Sequence, residues 1–218
     1  MGHRTTEWEL RGYLMGSKMQ TGLLLILGTI VSLVGWMAIY PAGGGPDTTA
    51  AENAADLMAD PTLAKLGMLM GFGGMGAVFI GFLNISRKMA AGDGAGAPYA
   101  NISAIMAMTL VVMMAIGIGI EWAVTEASDA TEGARLMLHS AALETPFNLV
   151  GGLLMVLLGI GIILEKNFHI IIGGLAVVAG ALFIIGNVDA VAMGGFIGWI
   201  GMMLVGLALG VQTLRSKS

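Results

Sequence analysis

The chain has 218 residues, of which 56% are hydrophobic and 11% charged, and it carries a formal charge of -4 at pH 7. A mean hydropathy of +0.86 does not describe a water-facing surface, so the composition indicates an integral membrane protein. The absence of cysteine excludes disulfides, thiolate metal sites, iron–sulfur clusters and thiol nucleophiles, and ten scattered Lys and Arg offer nothing to follow a nucleic-acid backbone.

Residues 1–20 read as a cytoplasmic segment in which Thr6 and Glu9 have capping-box spacing and Trp8, Tyr13 and Leu14 suit an interfacial helix. A basic region before an apolar one resembles a signal peptide, but the apolar stretch is long enough to span, so the first span is expected to be retained. Met1-Gly2 with Thr6 fits a loose myristoylation pattern, which a retained Met1 makes accidental.

Six apolar stretches follow, at 21–40, 63–86, 99–123, 146–164, 168–186 and 193–213. Each is close to the ~20 residues needed to cross a hydrocarbon core of ~30 Å. The expected fold is an all-α polytopic bundle of six transmembrane helices, one domain over 21–213 with a cytoplasmic tail at 214–218.

Pro41 and the glycines Gly43, Gly44 and Gly45 stop the first span. Asp60-Pro61 and Thr145-Pro146 place a capping side chain before a proline and mark the starts of the second and fourth, and Pro98 opens the third. Gly71, Gly73, Gly74 and Gly76 raise the prospect of a break within the second span. Between spans, the alanine-rich residues 47–60 and the segment from Asp129 and Glu132 to Ala142 suit short surface helices. The latter has an apolar face at Leu136, Met137 and Leu143, with Arg135 and His139 toward water.

Cations set the orientation. With six alternating spans, Arg4, Arg11, Lys18, Arg87, Lys88, Lys166, Arg215 and Lys217 share one side and only Lys65 and Arg135 the other, which places both termini in the cytoplasm, in what reads as a prokaryotic plasma membrane. Asp47, Glu52, Asp56, Asp60, Glu126, Asp129 and Glu132 make the opposite side acidic.

An inside amino terminus, an outer loop leading to Pro61-Thr62-Leu63, a gap after Arg87-Lys88 and tight hairpins joining the last three spans give an arrangement that resembles uncharacterised six-helix integral membrane families of unknown function. The resemblance is one of architecture. It implies no activity and no site residue.

Ionisable and amide groups at the outer helix ends are the candidates for chemistry: Glu121, Glu144, Asn148, Asn187 and Asp189. A carboxylate partly withdrawn from water can hold a proton or a cation, and Glu144 and Asn148 are spaced to share a helix face, so an outer polar pocket is expected. His139 and His169 fall on opposite sides and His3 lies near the terminus, so no intrachain bis-histidine haem is expected. Lys65 and Lys166 lie at span ends, which leaves no lysine for a retinal Schiff base. The Met68/Met70 and Met106/Met108 pairs point apart on a helix and read as packing rather than copper ligation, and no other metal ligand set is expected.

Small-residue spacing is the strongest motif. Gly67/Gly71, Gly194/Gly198 and Gly206/Gly210 each lie four apart, returning to one helix face where a second backbone can approach. No phosphate loop, zinc-binding helix or nucleophile elbow is present, and no cofactor is identified. The expected role is therefore a noncatalytic structural or accessory component of a membrane assembly, its partners being lipid and other membrane subunits or copies of itself. The alternative is a small proton- or cation-coupled transporter or channel using the outer carboxylates.

The orientation has a direct test: tags at Met1 and Ser218 should both be shielded in sealed cells while one between Thr48 and Thr49 is reached from outside. Termini on opposite faces would defeat the six-span reading.

Overall fold

A computed structural model of the chain describes residues 16–42, 48–188 and 193–216, and the regular elements among them are helical. The expected amino-terminal helix with Trp8, Tyr13 and Leu14, the glycines Gly43 to Gly45, and Asp189 lie outside the described residues.

Helix α1 (Lys18–Val34) starts at Ser17, whose hydroxyl accepts the Gln20 N–H at 3.1 Å, and continues into a π-helical turn, Gly35–Ile39. Helix α2 (Ala50–Ala59) opens with Thr49 and Glu52 accepting each other's backbone N–H, a capping box within the alanine-rich loop. Asp60 caps α3 (Pro61–Ala90) through the Leu63 N–H at 2.9 Å, and α4 (Ala97–Thr125) carries Pro98 in its first turn. Asp129 caps α5 (Ala130–Ala142) by accepting from Thr131 and Glu132, whereas the Glu132 side chain reaches back to Ser128 instead of Asp129. Helices α6 (Glu144–Glu165), α7 (Ile170–Ile185) and α8 (Met193–Arg215) complete the chain.

Two local expectations change. Thr145 does not cap α6: Leu143 is itself helical, so α5 runs almost directly into α6, and Thr145-Pro146 sit inside a first turn whose N–H groups have no helical acceptor anyway. The glycine run does not break α3, which is continuous over 30 residues. Gly71 and Gly74 there serve by lacking bulk, since both are buried against α1.

Five helical runs are long and apolar enough to cross a membrane: Lys18–Ile39, α3, α4, the α5–α6 run Ala130–Glu165, and α8. The stretch read at 168–186 forms a shorter helix of 16 residues, about 24 Å at 1.5 Å per residue. Its start is delayed because Lys166 leaves α6 in the left-handed region (φ 54°) and His169 caps α7, its ring accepting the Ile171 N–H at 3.3 Å.

The long helices pack in the order α1, α3, α4, α6, α7, α8, and α8 returns against α1 to close a ring. Fully buried Phe79, Phe82, Leu154, Leu158, Phe183 and Met202 fill its centre. The buried hydroxyls of Ser32, Thr29, Ser86 and Ser103 are satisfied within the walls: Ser32 donates to the Gly71 carbonyl at 3.0 Å, Thr29 to that of Leu25 at 2.7 Å, and Ser86 pairs with Ser103 at 2.9 Å. Helices α2 and α5 pack on each other across one end, over a second apolar cluster that includes Leu57, Met68, Phe72 and Val124. That end carries Glu52, Asp56, Asp60, Glu126, Asp129 and Glu132, and the other carries Lys18, Arg87, Lys88, Lys166 and Arg215.

The tightest crossings are antiparallel glycine pairs. A Cβ on Gly159 would lie 2.5 Å from the Gly173 carbonyl oxygen and one on Gly180 2.5 Å from that of Gly152, so two glycines seven apart on α6 meet two glycines seven apart on α7. Helices α1 and α3 use the same device, with Gly28 against the Gly74 carbonyl at 2.8 Å and Gly35 against the Gly71 backbone. The six glycines picked out by four-residue spacing are all buried. Gly67 faces the Tyr40 backbone, Gly71 the Trp36 ring, Gly194 the Leu182 carbonyl, Gly198 the Phe183 backbone and Gly210 the Ile26 side chain, while at Gly206 the nearest atom to an added Cβ is Thr29 Oγ1 at 3.3 Å.

Gly159→Ala and Gly180→Ala should each lower the melting temperature in detergent, costing about 1–3 kcal/mol, because the methyl meets a backbone carbonyl that cannot move alone. Gly119→Ala, whose Cβ meets nothing within 4 Å, should melt like the wild type, and Gly198→Ala should cost more than Gly206→Ala. Indistinguishable melting across the five would refute the close crossings.

Candidate functional site

The acidic end holds a buried carboxylate. Glu121, one turn before the end of α4, is 6% exposed, and its placement follows from helix phase, since it sits four residues after Gly117 on the face turned to the core. An ion there needs partners, because its hydration is lost and not returned by apolar neighbours. Both carboxylate oxygens have one. Tyr40 Oη donates to Oε2 at 2.6 Å and Ser140 Oγ to Oε1 at 2.8 Å, the first within the range of a charge-assisted O–H···O bond.

Each partner is delivered by a local feature of the chain. The π-helical turn carries Tyr40 inward, its own N–H donating to the Gly35 carbonyl at 2.8 Å, five residues back. The turn fits against α3 only because Gly67 and Gly71 are bare: a Cβ on Gly67 would lie 2.7 Å from Tyr40 Cα and one on Gly71 2.6 Å from the Trp36 ring. Trp36 then packs edge-on to Tyr40 and to Phe72, with centroids 4.7 and 4.6 Å away, fixing the phenol. Ser140 arrives from α5, whose Leu136 and Met137 pack on the second apolar cluster. Glu121 thus sits beneath the α2–α5 cover, joined to α1 and α5 at once.

An exposed network borders it. Lys65 Nζ is 2.7 Å from Glu126 Oε1 and 4.8 Å from the Trp122 ring centroid, and Trp122 Nε1 donates to the same carboxylate at 3.1 Å. The hydrogen bond and charge of Lys65, then the indole, hold Glu126 below the usual carboxylate range. A depressed folded pKa means that whatever this pair adds to stability is present above the unfolded carboxylate value and is lost as pH falls through the folded one.

The four predicted groups that are described, Glu121, Glu144, Asn148 and Asn187, do not form one cluster. Asn148, 8% exposed, donates to Asn187 Oδ1 at 3.4 Å, and Asn187 in turn donates to the carbonyls of Phe183 and Ile184, which ties α6 to the end of α7. Glu144 begins α6 and is exposed, since the face it would share with Asn148 extends past the packed wall of the ring. Glu121 stands with Tyr40 and Ser140 instead. Those two partners escaped the sequence reading, yet a signal existed: a lone carboxylate inside an apolar helix end requires donors, and Tyr40 and Ser140 lie at the same end. No group of three or more metal-ligating His, Asp or Glu occurs among the described residues.

Compared with known proteins, the chain matches no family model, no curated protein and no solved structure.

Tyr40→Phe should remove the donor that Glu121 Oε2 has among the described residues while keeping the ring, costing about 1–3 kcal/mol of stability. Ser140→Ala at the rim, where Ser140 is half-buried and water can substitute, should cost less. Thermal melting in detergent checks both, and a Tyr40→Phe variant as stable as wild type would show that the phenol does not hold the carboxylate.

Proposed function

We propose that the protein is a noncatalytic accessory component of a membrane assembly, crossing the bilayer six times with its cationic end in the cytoplasm and recognising membrane partners through outward small-residue faces. In this reading α7 counts as a crossing, because it is flanked on both sides by longer helices of the ring and is apolar throughout.

The observation that carries the reading is the filled apolar centre. Phenylalanine, leucine, isoleucine and methionine side chains fill the ring from Phe79 to Ile162, and the buried hydroxyls of Thr29, Ser32, Ser86 and Ser103 are bonded to the walls. A substrate path would need a chain of polar groups or water, whereas a packed apolar interior makes a rigid body whose useful surface is outside. On that outside α3 presents Leu69, Gly73, Gly76 and Ile80 at helical spacing, and an added Cβ on either glycine would meet nothing within 4 Å. Another helix can approach closely there, as the interior glycines allow within the chain.

A specific feature favours the second reading, proton or cation coupling: Glu121 is a buried carboxylate held by two hydroxyls that can donate to it or take part in passing a proton. Under that reading Glu121, rather than the exposed Glu144, is the coupling group.

Native-membrane extraction into lipid nanodiscs separates the two. The accessory reading predicts a defined complex with another membrane chain or with further copies, dissociated by Gly73→Leu together with Gly76→Leu while the melting of the isolated chain is unchanged. A solitary chain that conducts protons or cations in reconstituted vesicles, with flux abolished by Glu121→Gln, would replace it by the transport reading.

A further inference from the structure

At the end opposite Glu121 the ring opens into a cavity of about 750 Å³ between the start of α1, the end of α3, the α6–α7 turn and the end of α8. Its lining includes three cations from three different helices, Lys18, Lys88 and Arg215, and no carboxylate among the described residues. Asn84 and Asn167 add amide groups to the wall. The chain enters α1 here, so the positive end of a helix dipole faces the same space, with Gly16 and Ser17 on the lining.

One buried group of the lining lacks a counterpart among the described residues. Thr213, on the lining and 8% exposed, has a side-chain oxygen shielded from solvent with no hydrogen-bond partner among the described residues. Buried hydroxyls elsewhere in the ring are bonded, as Thr29, Ser32, Ser86 and Ser103 are, so an unbonded one in the wall of a cationic cavity stands apart. A donor without an acceptor, the cations Lys88 and Arg215 and a helix start all call for the same complement: an anion rich in acceptor oxygens.

We propose that this cavity is a binding site for a phosphate group, held by Lys18, Lys88 and Arg215 with Thr213 donating from the wall. It goes beyond the accessory role and does not depend on it. Phosphate chemistry fits better than a carboxylate because the cations come from three directions, α1, α3 and α8, and a phosphate offers oxygens to all of them at once. Two sources carry that group to the end of a membrane helix: the headgroup of an anionic phospholipid, and a soluble phosphate.

The test uses the full chain purified in a neutral detergent without phosphate. Binding is read by native mass spectrometry and by thermal shift against phosphatidylglycerol, phosphatidylcholine and inorganic phosphate in separate arms. Retention of phosphatidylglycerol at least tenfold above phosphatidylcholine identifies the headgroup source, and stabilisation by inorganic phosphate alone identifies the soluble one; either supports the site. Lys88→Gln with Arg215→Gln should lower the affinity at least tenfold, and Thr213→Val several-fold with the charges intact. Thr213→Val also covers the case in which the double variant fails to fold. Arg87→Gln, at the same end but outside the lining, should leave binding unchanged. Equal retention of both lipids without any response to inorganic phosphate overturns the proposal, as does an Arg87→Gln loss as large as that of the lining variants.

Discussion

Helix backbones that touch are the constraint on which this structure depends. In a bilayer the exclusion of apolar surface from water gives little reason for one apolar helix to prefer another, so association rests on van der Waals contact and on polar groups bonded between helices. Contact of that kind requires backbones to approach, and here glycine removes the obstruction at matched positions: Gly152 and Gly159 against Gly180 and Gly173, Gly28 against Gly74. Because the glycines of α6 and those of α7 each lie seven residues apart on antiparallel helices, two points of contact fix both crossing and register there. The six-membered ring, its filled centre and the positions of its ends follow from those crossings.

The same constraint places the polar groups. Gly67 and Gly71 leave room for the π-helical turn and for Trp36, and that turn carries Tyr40 to Glu121. Packing residues and site residues are therefore one system, in which a methyl group added to α3 would displace the phenol at the end of the π-helical turn. At the other end the ring is not closed by α2 and α5, and the cations collected there surround an open cavity. The molecule has a covered acidic end and an open cationic end.

Much of the fold was legible in the chain. Long apolar stretches and proline–cap pairs announce the helices within a few residues, because a lipid-facing helix must be apolar throughout and its ends must be capped. The shorter α7 was less so: Ile170–Ile185 continues apolar residues on both sides, and only the left-handed Lys166 and the His169 cap determine where it begins. Four-residue glycine spacing found positions that are buried, but it missed the seven-residue pairs of α6 and α7, whose meaning depends on the partner helix. The site was legible only in part. Glu121 could be singled out as a carboxylate in an apolar span, whereas its bonds to residues 81 and 19 positions away depend on how the ring closes. Helix spacing grouped Glu144 with Asn148, yet an interval of four residues says nothing about where the packed wall ends.

Ring closure between the first and last long helices is the step from which the filled apolar centre and both ends derive, and the chain has no cysteine of its own to confuse a cross-linking experiment. Ile26 and Gly210 face each other across that seam, where a Cβ on Gly210 would lie 2.7 Å from Ile26 Cγ1. Replacing both by cysteine and oxidising in native membranes should give a rapid cross-link within one chain. Failure of that pair to cross-link while an Ile26 and Ile163 pair, placed on non-adjacent helices, does so would contradict the ring.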